Sequence, residues 1–175
     1  MTNIGIIVSG SRSFDKHPKR NDVEQGVLGA LSRWITAIET QPSVFGEDQR
    51  IFIITGDADP VDRWGREFAK RDARVRGLLV YALDGYCYIW LRNGDDKKVP
   101  WCSQKMVVRS PRFPPIRNRV MVVRSLTMDV VKLAAFKDPK SKTGGTDQTI
   151  RCAKDVGVAT ELFLANEDGG FDLKE

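Results

Sequence analysis

The sequence is poor in the residues that build disulfide frameworks and metal sites. Among 175 residues there are three cysteines, Cys87, Cys102 and Cys152, and one histidine, His17. The cysteines are odd in number and no two show C-x-x-C spacing, so neither a disulfide framework nor a zinc site is supported. A single histidine also argues against a Ser-His-Asp arrangement. We therefore predict no cofactor, no metal site and a reducing, cytoplasmic compartment.

Long apolar runs are also missing. No stretch reaches transmembrane length, and the first residues lack the charged and apolar regions of a signal peptide. The sequence therefore predicts a soluble protein without a membrane partner. Its length favours one domain, over about residues 1–165, followed by a flexible tail at 166–175 that is rich in Gly, Asp and Glu.

Acidic residues are absent from one segment of a basic chain. The net charge is +5, and residues 97–128 contain neither Asp nor Glu. The positive charge therefore belongs to this segment. Either it is a solvated basic loop or it contacts an anion or a nucleic acid. In the second case Trp101 and Phe113 are candidate stacking surfaces for a single strand.

Short apolar runs alternate with helical patterns along the chain. Strand-like runs are Ile4–Val8, Ile51–Ile54, Leu78–Tyr81, Val130–Phe136 and Val158–Phe163. Apolar residues at helical spacing predict helices over about 21–40, after Pro60, before residue 126 and over about 147–156. This alternation predicts an α/β fold, a doubly wound and mainly parallel Rossmann-like sheet.

Residues 84–115 interrupt this rhythm. Asn93-Gly94 is a typical hairpin turn, and it separates Tyr86–Arg92 from Lys97–Trp101. We interpret the segment as an insertion at the rim of the sheet. Its alternating aromatic residues favour hairpin packing or a subunit contact, with base stacking as the alternative.

Glycines follow three of the predicted strands. A glycine at the carboxyl end of a strand lets a phosphate approach the backbone, and the next helix adds a favourable dipole. Gly10, Gly56 and the Gly144-Gly145 pair fit this pattern. Together they predict one crevice that binds a phosphorylated ligand.

Four segments in register resemble the SLOG superfamily of Rossmann-like nucleotide-binding proteins, above all its small phage and bacterial members. The likeness covers roughly residues 4–160. The residues that carry it are Gly10, Ser11, Arg12 and Phe14; Gly56, Ala58, Asp62 and Ala69; Arg117, Asn118 and Met121; and Ala135, Phe136, Gly145, Thr146 and Ala153. The resemblance implies a nucleotide-like ligand, a phage origin and a homodimer.

The predicted ligand-binding set is drawn from these segments. Arg12 and Arg117 are candidates for bidentate phosphate binding, and Asn118 for orienting a ribose or base. Asp62 is either a helix cap or a ribose ligand. The full set is Gly10, Ser11, Arg12, Gly56, Asp57, Asp62, Arg117, Asn118, Gly144, Gly145 and Thr146.

The chain departs from the family pattern in two places. Asp59-Pro60 stands where Arg-Gly is usual, which replaces a cation with a carboxylate. The hydrolase branch of the superfamily carries glutamates after its Gly-Thr loop, whereas Thr146 is followed by Asp147, Gln148 and Thr149. Amides and hydroxyls do not act as general bases at neutral pH. Asp147 is the remaining candidate, although a carboxylate in a first helical turn commonly stabilises the helix dipole.

The sequence thus favours a binder of a nucleotide or nucleotide-derived molecule, a sensor or sequestering protein with no assigned catalytic residue. The alternatives are a phosphoribohydrolase-like N-glycosidase and a single-stranded nucleic-acid binder that uses residues 97–128.

Overall fold

The computed structural model of the protein describes residues 1–41, 48–102, 113–142 and 144–174. These residues form an α/β fold with eight strands and four α-helices. The strands are β1 (Thr2–Gly10), β2 (Gln49–Gly56), β3 (Val75–Tyr81), β4 (Tyr86–Leu91), β5 (Lys97–Pro100), β6 (Val130–Lys137), β7 (Ala159–Ala165) and β8 (Phe171–Lys174). The α-helices are α1 (Arg20–Glu39), α2 (Val61–Arg71), α3 (Phe113–Ser125) and α4 (Gly145–Asp155), and a 3-10 helix covers Arg12–Lys16.

All eight strands belong to one mostly parallel sheet, in the order β5-β4-β3-β2-β1-β6-β7-β8. The five central strands are parallel, and the outer strands β4, β5 and β8 are antiparallel to their neighbours. The apolar runs predicted as strands therefore form the centre of the sheet, where a strand is covered on both faces.

Alternation along β1 divides the core into two clusters. Ile4, Ile6 and Val8 pack in one cluster with residues of α1 and α2. Ile7, on the other face of the strand, packs in a second cluster with residues of α3 and α4. Since successive side chains of a strand point to opposite faces, the two clusters lie on opposite sides of the sheet.

The predicted rim hairpin is confirmed. β4 and β5 pair in antiparallel fashion, and Asn93 in the turn has a φ of 63°, a conformation that Asn adopts more readily than most residues. The hairpin extends the sheet beyond β3.

The end of the chain differs from the flexible tail predicted at 166–175. Residues 171–174 form β8, which pairs with β7, and the ring of Phe171 lies edge-on to Phe14 and Phe136. Composition alone misled the prediction, because one aromatic side chain provides the apolar contact that orders a polar segment.

Candidate functional site

A large cleft among the described residues opens at the carboxyl ends of β1 and β6. The chain leaves β1 for β2 on one side and leaves β6 for β7 on the other, so the two connections diverge. The resulting cleft has a volume of about 710 Å³. Nine of the eleven predicted ligand-binding residues line it: Gly10, Ser11, Arg12, Asp62, Arg117, Asn118, Gly144, Gly145 and Thr146.

The end of β1 forms one wall of the cleft. A Cβ on Gly10 would lie 2.3 Å from the Cγ2 atom of Val61, so only glycine lets α2 approach the strand this closely. The Ser11 hydroxyl accepts a hydrogen bond from the Asp138 amide at 3.1 Å and thereby joins the loops after β1 and β6. Arg12 is exposed and forms no hydrogen bond or ion pair to any described residue. Its guanidinium is free to meet a ligand.

Arg117, which the sequence predicted as a phosphate ligand, also has a structural role. Its side chain is buried, and Nη1 donates to the Asp57 carboxylate at 2.9 Å and to the Tyr81 carbonyl at 3.0 Å. Asp57 also accepts from the Leu83 amide at 2.8 Å. Asp57 therefore holds Arg117 to the ends of β2 and β3 and does not itself line the cleft. Nη1 is therefore engaged within the protein, and a ligand in the cleft would meet the guanidinium through its other nitrogens.

Gly56 likewise serves this ion pair and lies outside the cleft lining. A Cβ there would lie 1.9 Å from Nη1 of Arg117 and 2.6 Å from Oδ2 of Asp62. Glycine thus makes room for a buried arginine and a buried carboxylate, not for a phosphate. The sequence pattern could not separate the two uses, because both require close approach to the backbone.

One polar group of Arg117 is left over. Its Nε–H is buried without a hydrogen-bond partner. The hydroxyl of Ser13, another residue that lines the cleft, is also buried without a partner. This statement applies to the part of the chain that the structure describes. Buried polar groups are nearly always paired in folded proteins, so these two atoms are candidates for pairing with a ligand or water.

Asp62 lies at the base of the cleft and is buried. Its Oδ2 accepts a hydrogen bond from the Ala58 amide at 3.1 Å, which ties the loop before α2 to the first turn of the helix. Burial raises the pKa of Asp62 to about 6, and the nearby positive charge of Arg117 opposes this rise. Asp62 therefore changes its protonation state in a mildly acidic range.

The N-terminus of α4 forms the opposite wall. The Asp147 carboxylate accepts from the Gly144 amide at 3.3 Å and pairs with Lys137 Nζ at 2.7 Å, so it caps the helix. This is the structural role weighed for Asp147. Asn118 donates to the Gly145 carbonyl at 3.2 Å and thereby ties α3 to this helix end.

The residues at the positions of the family's glutamates are also engaged within the protein. Gln148 donates to the Pro115 carbonyl at 2.9 Å, and the buried Thr149 hydroxyl donates to the Gly145 carbonyl at 2.9 Å. Both side chains stabilise the helix end and its contact with α3. Neither supplies an acid or a base.

Three cations in the cleft were missed by sequence reasoning. Lys137 ends β6, Lys142 precedes the glycine pair, and Arg151 lies one turn after Asp147 on α4. The strand-end position of Lys137 and the i, i+4 spacing of Arg151 from Asp147 were the available signals. Lys137 is paired with Asp147, whereas Lys142 and Arg151, like Arg12, have no carboxylate partner among the described residues.

The predicted stacking surface at residues 97–128 receives no support from Trp101. This side chain is 4% exposed, and its indole N–H donates to the Ala82 carbonyl at 2.7 Å. It packs the hairpin onto the second core cluster, which agrees with the hairpin-packing interpretation of these aromatic residues. Residues 103–112 of the basic segment and the side chain of Phe113 lie outside the described part of the structure.

Comparison with known proteins adds no family. No protein-family model matches the chain, and no curated protein is significantly similar to it. None of the helices described is long and apolar enough to cross a membrane. Within the described ranges, no group of His, Cys, Asp and Glu side chains has the arrangement of a metal site.

Proposed function

We propose that this protein binds a nucleotide or a nucleotide-derived small molecule in the cleft at the carboxyl ends of β1 and β6. One observation carries the proposal: the strand order reverses between these two strands, and the cleft opens at that point. In open α/β sheets, ligands bind in the crevice formed where adjacent connections diverge.

The charge distribution of the cleft favours an anionic ligand. The first amides of α4 have no partner within the helix, and the helix dipole attracts negative charge to them. Arg12, Lys142 and Arg151 add three cations that no described carboxylate neutralises. The cleft therefore suits a phosphate group, which the first amides of α4 and cations of both walls can meet.

Other lining residues of the cleft suit an uncharged polar group such as a sugar. Arg117 is neutralised by Asp57, and its buried Nε–H has no partner within the described residues. Asp62 and Ser13 add groups that accept or donate hydrogen bonds. A ribose between the phosphate and a base would present hydroxyls to these residues.

The arrangement of the sheet supports a Rossmann-like classification of the fold. Its parallel strands follow the order β3-β2-β1-β6-β7, and helices contribute to both core clusters. We infer a doubly wound, Rossmann-like fold and membership of the SLOG superfamily. A homodimer, a phage origin and a cytoplasmic location stay predictions.

Native mass spectrometry of the freshly purified protein, followed by thermal unfolding with a nucleotide panel, tests the proposal. The panel contains nucleoside mono- and diphosphates, ADP-ribose, NAD and cyclic dinucleotides. A ligand at about 100 times its Kd stabilises the native state by about 2.7 kcal/mol, which raises the Tm of a chain of this size by about 5–10 °C. Absence of any co-purified ligand together with no Tm shift contradicts the proposal.

A pair of variants localises the binding. Arg12→Gln and Lys142→Gln each remove one cleft cation, and each should weaken binding of the stabilising nucleotide about tenfold or more. Lys154→Gln is the matched control, because Lys154 is an exposed cation of the last turn of α4, at the far end of the helix from the cleft. Equal affinities in all three variants would place the ligand elsewhere.

One observation favours N-glycosidase activity as a second candidate function. Asp62 is a buried carboxyl group at the base of the cleft whose pKa is raised to about 6, as is typical of general acids. The release of free base from a nucleoside monophosphate should be lost in the Asp62→Asn variant and retained in the Asp147→Asn variant. No release by the unaltered protein excludes this candidate.

A further inference from the structure

A second groove runs along α2. It has a volume of about 370 Å³ and shares no lining residue with the cleft. Its walls are the outer side of α2 and the β4–β5 hairpin, and its floor is the face of β3 and β4. The nucleotide-binding proposal does not use this groove.

The floor is a row of aromatic side chains on one face of β4. Tyr86, Tyr88 and Trp90 alternate along the strand, and the last two line the groove, while Cys87 and Ile89 pack into the core cluster of the other face. Side chains two residues apart on a strand stand about 6.8 Å from each other. Tyr88 is 39% exposed, so its ring is available from solvent.

The row continues across the sheet as an apolar surface. Trp90 lies directly opposite Leu78 on β3, and Tyr88 lies opposite Val80. Trp90 is half-buried and packs against the first core cluster, with the guanidinium of Arg92 centred 5.1 Å from its ring. Trp90 therefore anchors the floor, and Tyr88 presents the accessible ring.

Cations line both walls of the groove. On α2 these are Arg63, Arg66 and Lys70, which share one side of the helix, and on the hairpin it is Lys97. Two carboxylates, Glu67 and Asp96, also line the groove. Asp59 pairs with Arg63 and with Arg66 at 3.7 Å, whereas Lys70 and Lys97 have no carboxylate partner among the described residues.

A further cation stands directly over the aromatic row. Lys98 lies opposite Tyr88 across the hairpin, with its Nζ 4.0 Å from the ring centroid of Tyr86 and 5.1 Å from that of Tyr88. Its long exposed side chain can turn toward a phosphate when another planar group takes its place over the ring.

We propose that this groove binds single-stranded nucleic acid, with a base stacked on Tyr88 and the backbone phosphates held by Lys70, Lys97 and Lys98. An accessible aromatic ring flanked by cations is a pattern that accepts an unpaired base and a polyanionic backbone together. A duplex keeps its bases stacked inside and offers no ring face to Tyr88. An acidic peptide would satisfy the cations but not the aromatic row.

The stacking contact is tested by fluorescence anisotropy with a labelled oligothymidylate and the full chain. Stacking is worth about 1–3 kcal/mol per base, so Tyr88→Ala should weaken binding about fivefold or more. Tyr88→Phe is the matched control, since it keeps the ring and removes only the hydroxyl that donates to Asp84. Its affinity should stay within about twofold of the unaltered protein. Equal affinities for Tyr88→Ala and the unaltered protein overturn the proposal.

The backbone contacts are tested by the salt dependence of the same binding. Each phosphate contact to a single strand contributes about 0.7 to the slope of log K against log salt. Lys70→Gln with Lys97→Gln should lower the magnitude of that slope by about 1.4, and Lys154→Gln should leave it unchanged. An unchanged slope in the double variant, or a duplex that binds as tightly as the single strand, contradicts the proposal.

These experiments distinguish a failure of the proposed nucleotide cleft from a failure of the proposed nucleic-acid groove. Lys142→Gln should weaken the nucleotide and leave the oligonucleotide unaffected, and Tyr88→Ala should do the reverse. Oligonucleotide affinity that falls with Lys142→Gln and not with Tyr88→Ala would place the strand in the cleft and overturn the groove assignment. Displacement of the oligonucleotide by polyglutamate with no effect of Tyr88→Ala would identify a general polyanion surface instead.

Discussion

At the scale of single residues, the lining of the cleft contains a buried carboxyl group. Burial makes its charged form energetically unfavourable. Asp62 is removed from water beside Arg117, and burial raises the pKa of Asp62 to about 6. In the unfolded chain an aspartate titrates near 3.9. The native state therefore binds this proton more tightly than the unfolded state does, and folding stability depends on pH between these two values.

The sign of this dependence gives the first prediction. The contribution of Asp62 is fully present below pH about 4 and is lost as the pH rises through about 6, by roughly 2–4 kcal/mol. Urea denaturation of the unaltered protein and of Asp62→Asn at pH 4.5, 5.5, 6.5 and 7.5 measures this loss of unfolding free energy. The variant should show a flatter profile across this window.

Asp72→Asn is the control for that profile. Its hydrogen bonds with Arg74 lower the pKa of Asp72, so this carboxylate stabilises the fold above its ordinary pKa and loses that effect only at lower pH. The Asp72→Asn variant should keep the decline between pH 4.5 and 7.5. A profile for Asp62→Asn as steep as that of the unaltered protein would show that Asp62 titrates normally.

The second prediction concerns the space beside Gly56. In Gly56→Ala the new methyl group would collide with the buried guanidinium of Arg117, which two hydrogen bonds hold in place. We expect a loss of unfolding free energy of about 2 kcal/mol or more, because a buried ion pair must shift. Thermal or urea unfolding measures the change.

Gly29→Ala is its counterpart in the interior of α1. The added methyl group meets only the end of the flexible Arg33 side chain at 3.3 Å. Replacing a mid-helix glycine by alanine stabilises a helix by about 0.5–1 kcal/mol. A Gly56→Ala variant as stable as Gly29→Ala would contradict the close approach of Arg117 to the backbone at residue 56.

At the scale of elements, the central strands and the helices were predictable. Runs such as Ile51–Ile54 carry no polar residue, and burial on both faces of a parallel sheet leaves few other uses for them. The periodicity of Val23, Val27, Leu31 and Ile35 predicted α1 because these residues share one buried face. The hairpin turn at Asn93 followed from local chemistry, whereas the exact strand boundaries did not: β1 was predicted as Ile4–Val8 and spans Thr2–Gly10.

Two elements were not predictable in this way. The 3-10 helix Arg12–Lys16 contains only one buried side chain, Phe14, so it has no periodic pattern. β8 depends on Phe171, which reaches Phe14 and Phe136 across more than thirty residues of chain. Such contacts are decided by the tertiary fold and not by a local pattern.

The third prediction tests whether β8 is part of the folded unit. Phe171→Ala removes a ring that lies 5.9 Å from Phe14 and 5.2 Å from Phe136, and it should destabilise the protein by about 2–4 kcal/mol. Leu173→Ala, two residues along the same strand and 53% exposed, should change stability by less than about 0.5 kcal/mol. Similar, small effects for both variants would mean that the end of the chain is a flexible tail after all.

At the scale of the whole molecule, the site was predictable as a set of residues but not as a set of roles. Glycines after strands pointed to the correct edge of the sheet, since parallel strands bring their carboxyl ends together. The pairing of Arg117 with Asp57 joins residues 60 positions apart, so no spacing in the sequence reveals it. The strand order that creates the cleft is likewise a property of the assembled sheet.

The molecule has two proposed binding surfaces on one sheet. The cleft is lined by unpaired cations from the loops after β1 and β6 and from α4, and the groove beside α2 presents an aromatic ring between cations. Because these surfaces share no lining residue, each can be altered without touching the other. The protein is therefore expected to bind a nucleotide-like molecule and a nucleic-acid strand independently.

The most direct test of the central claim is a nitrogen–proton NMR spectrum of the ¹⁵N-labelled protein, recorded while the nucleotide that stabilises it most is added. The account predicts that the amide signals of Ser11, Arg12, Gly144, Gly145 and Thr146 shift and saturate together, while that of Tyr88 stays in place. Shifts confined to other parts of the chain, or no shift for any nucleotide of the panel, would contradict it.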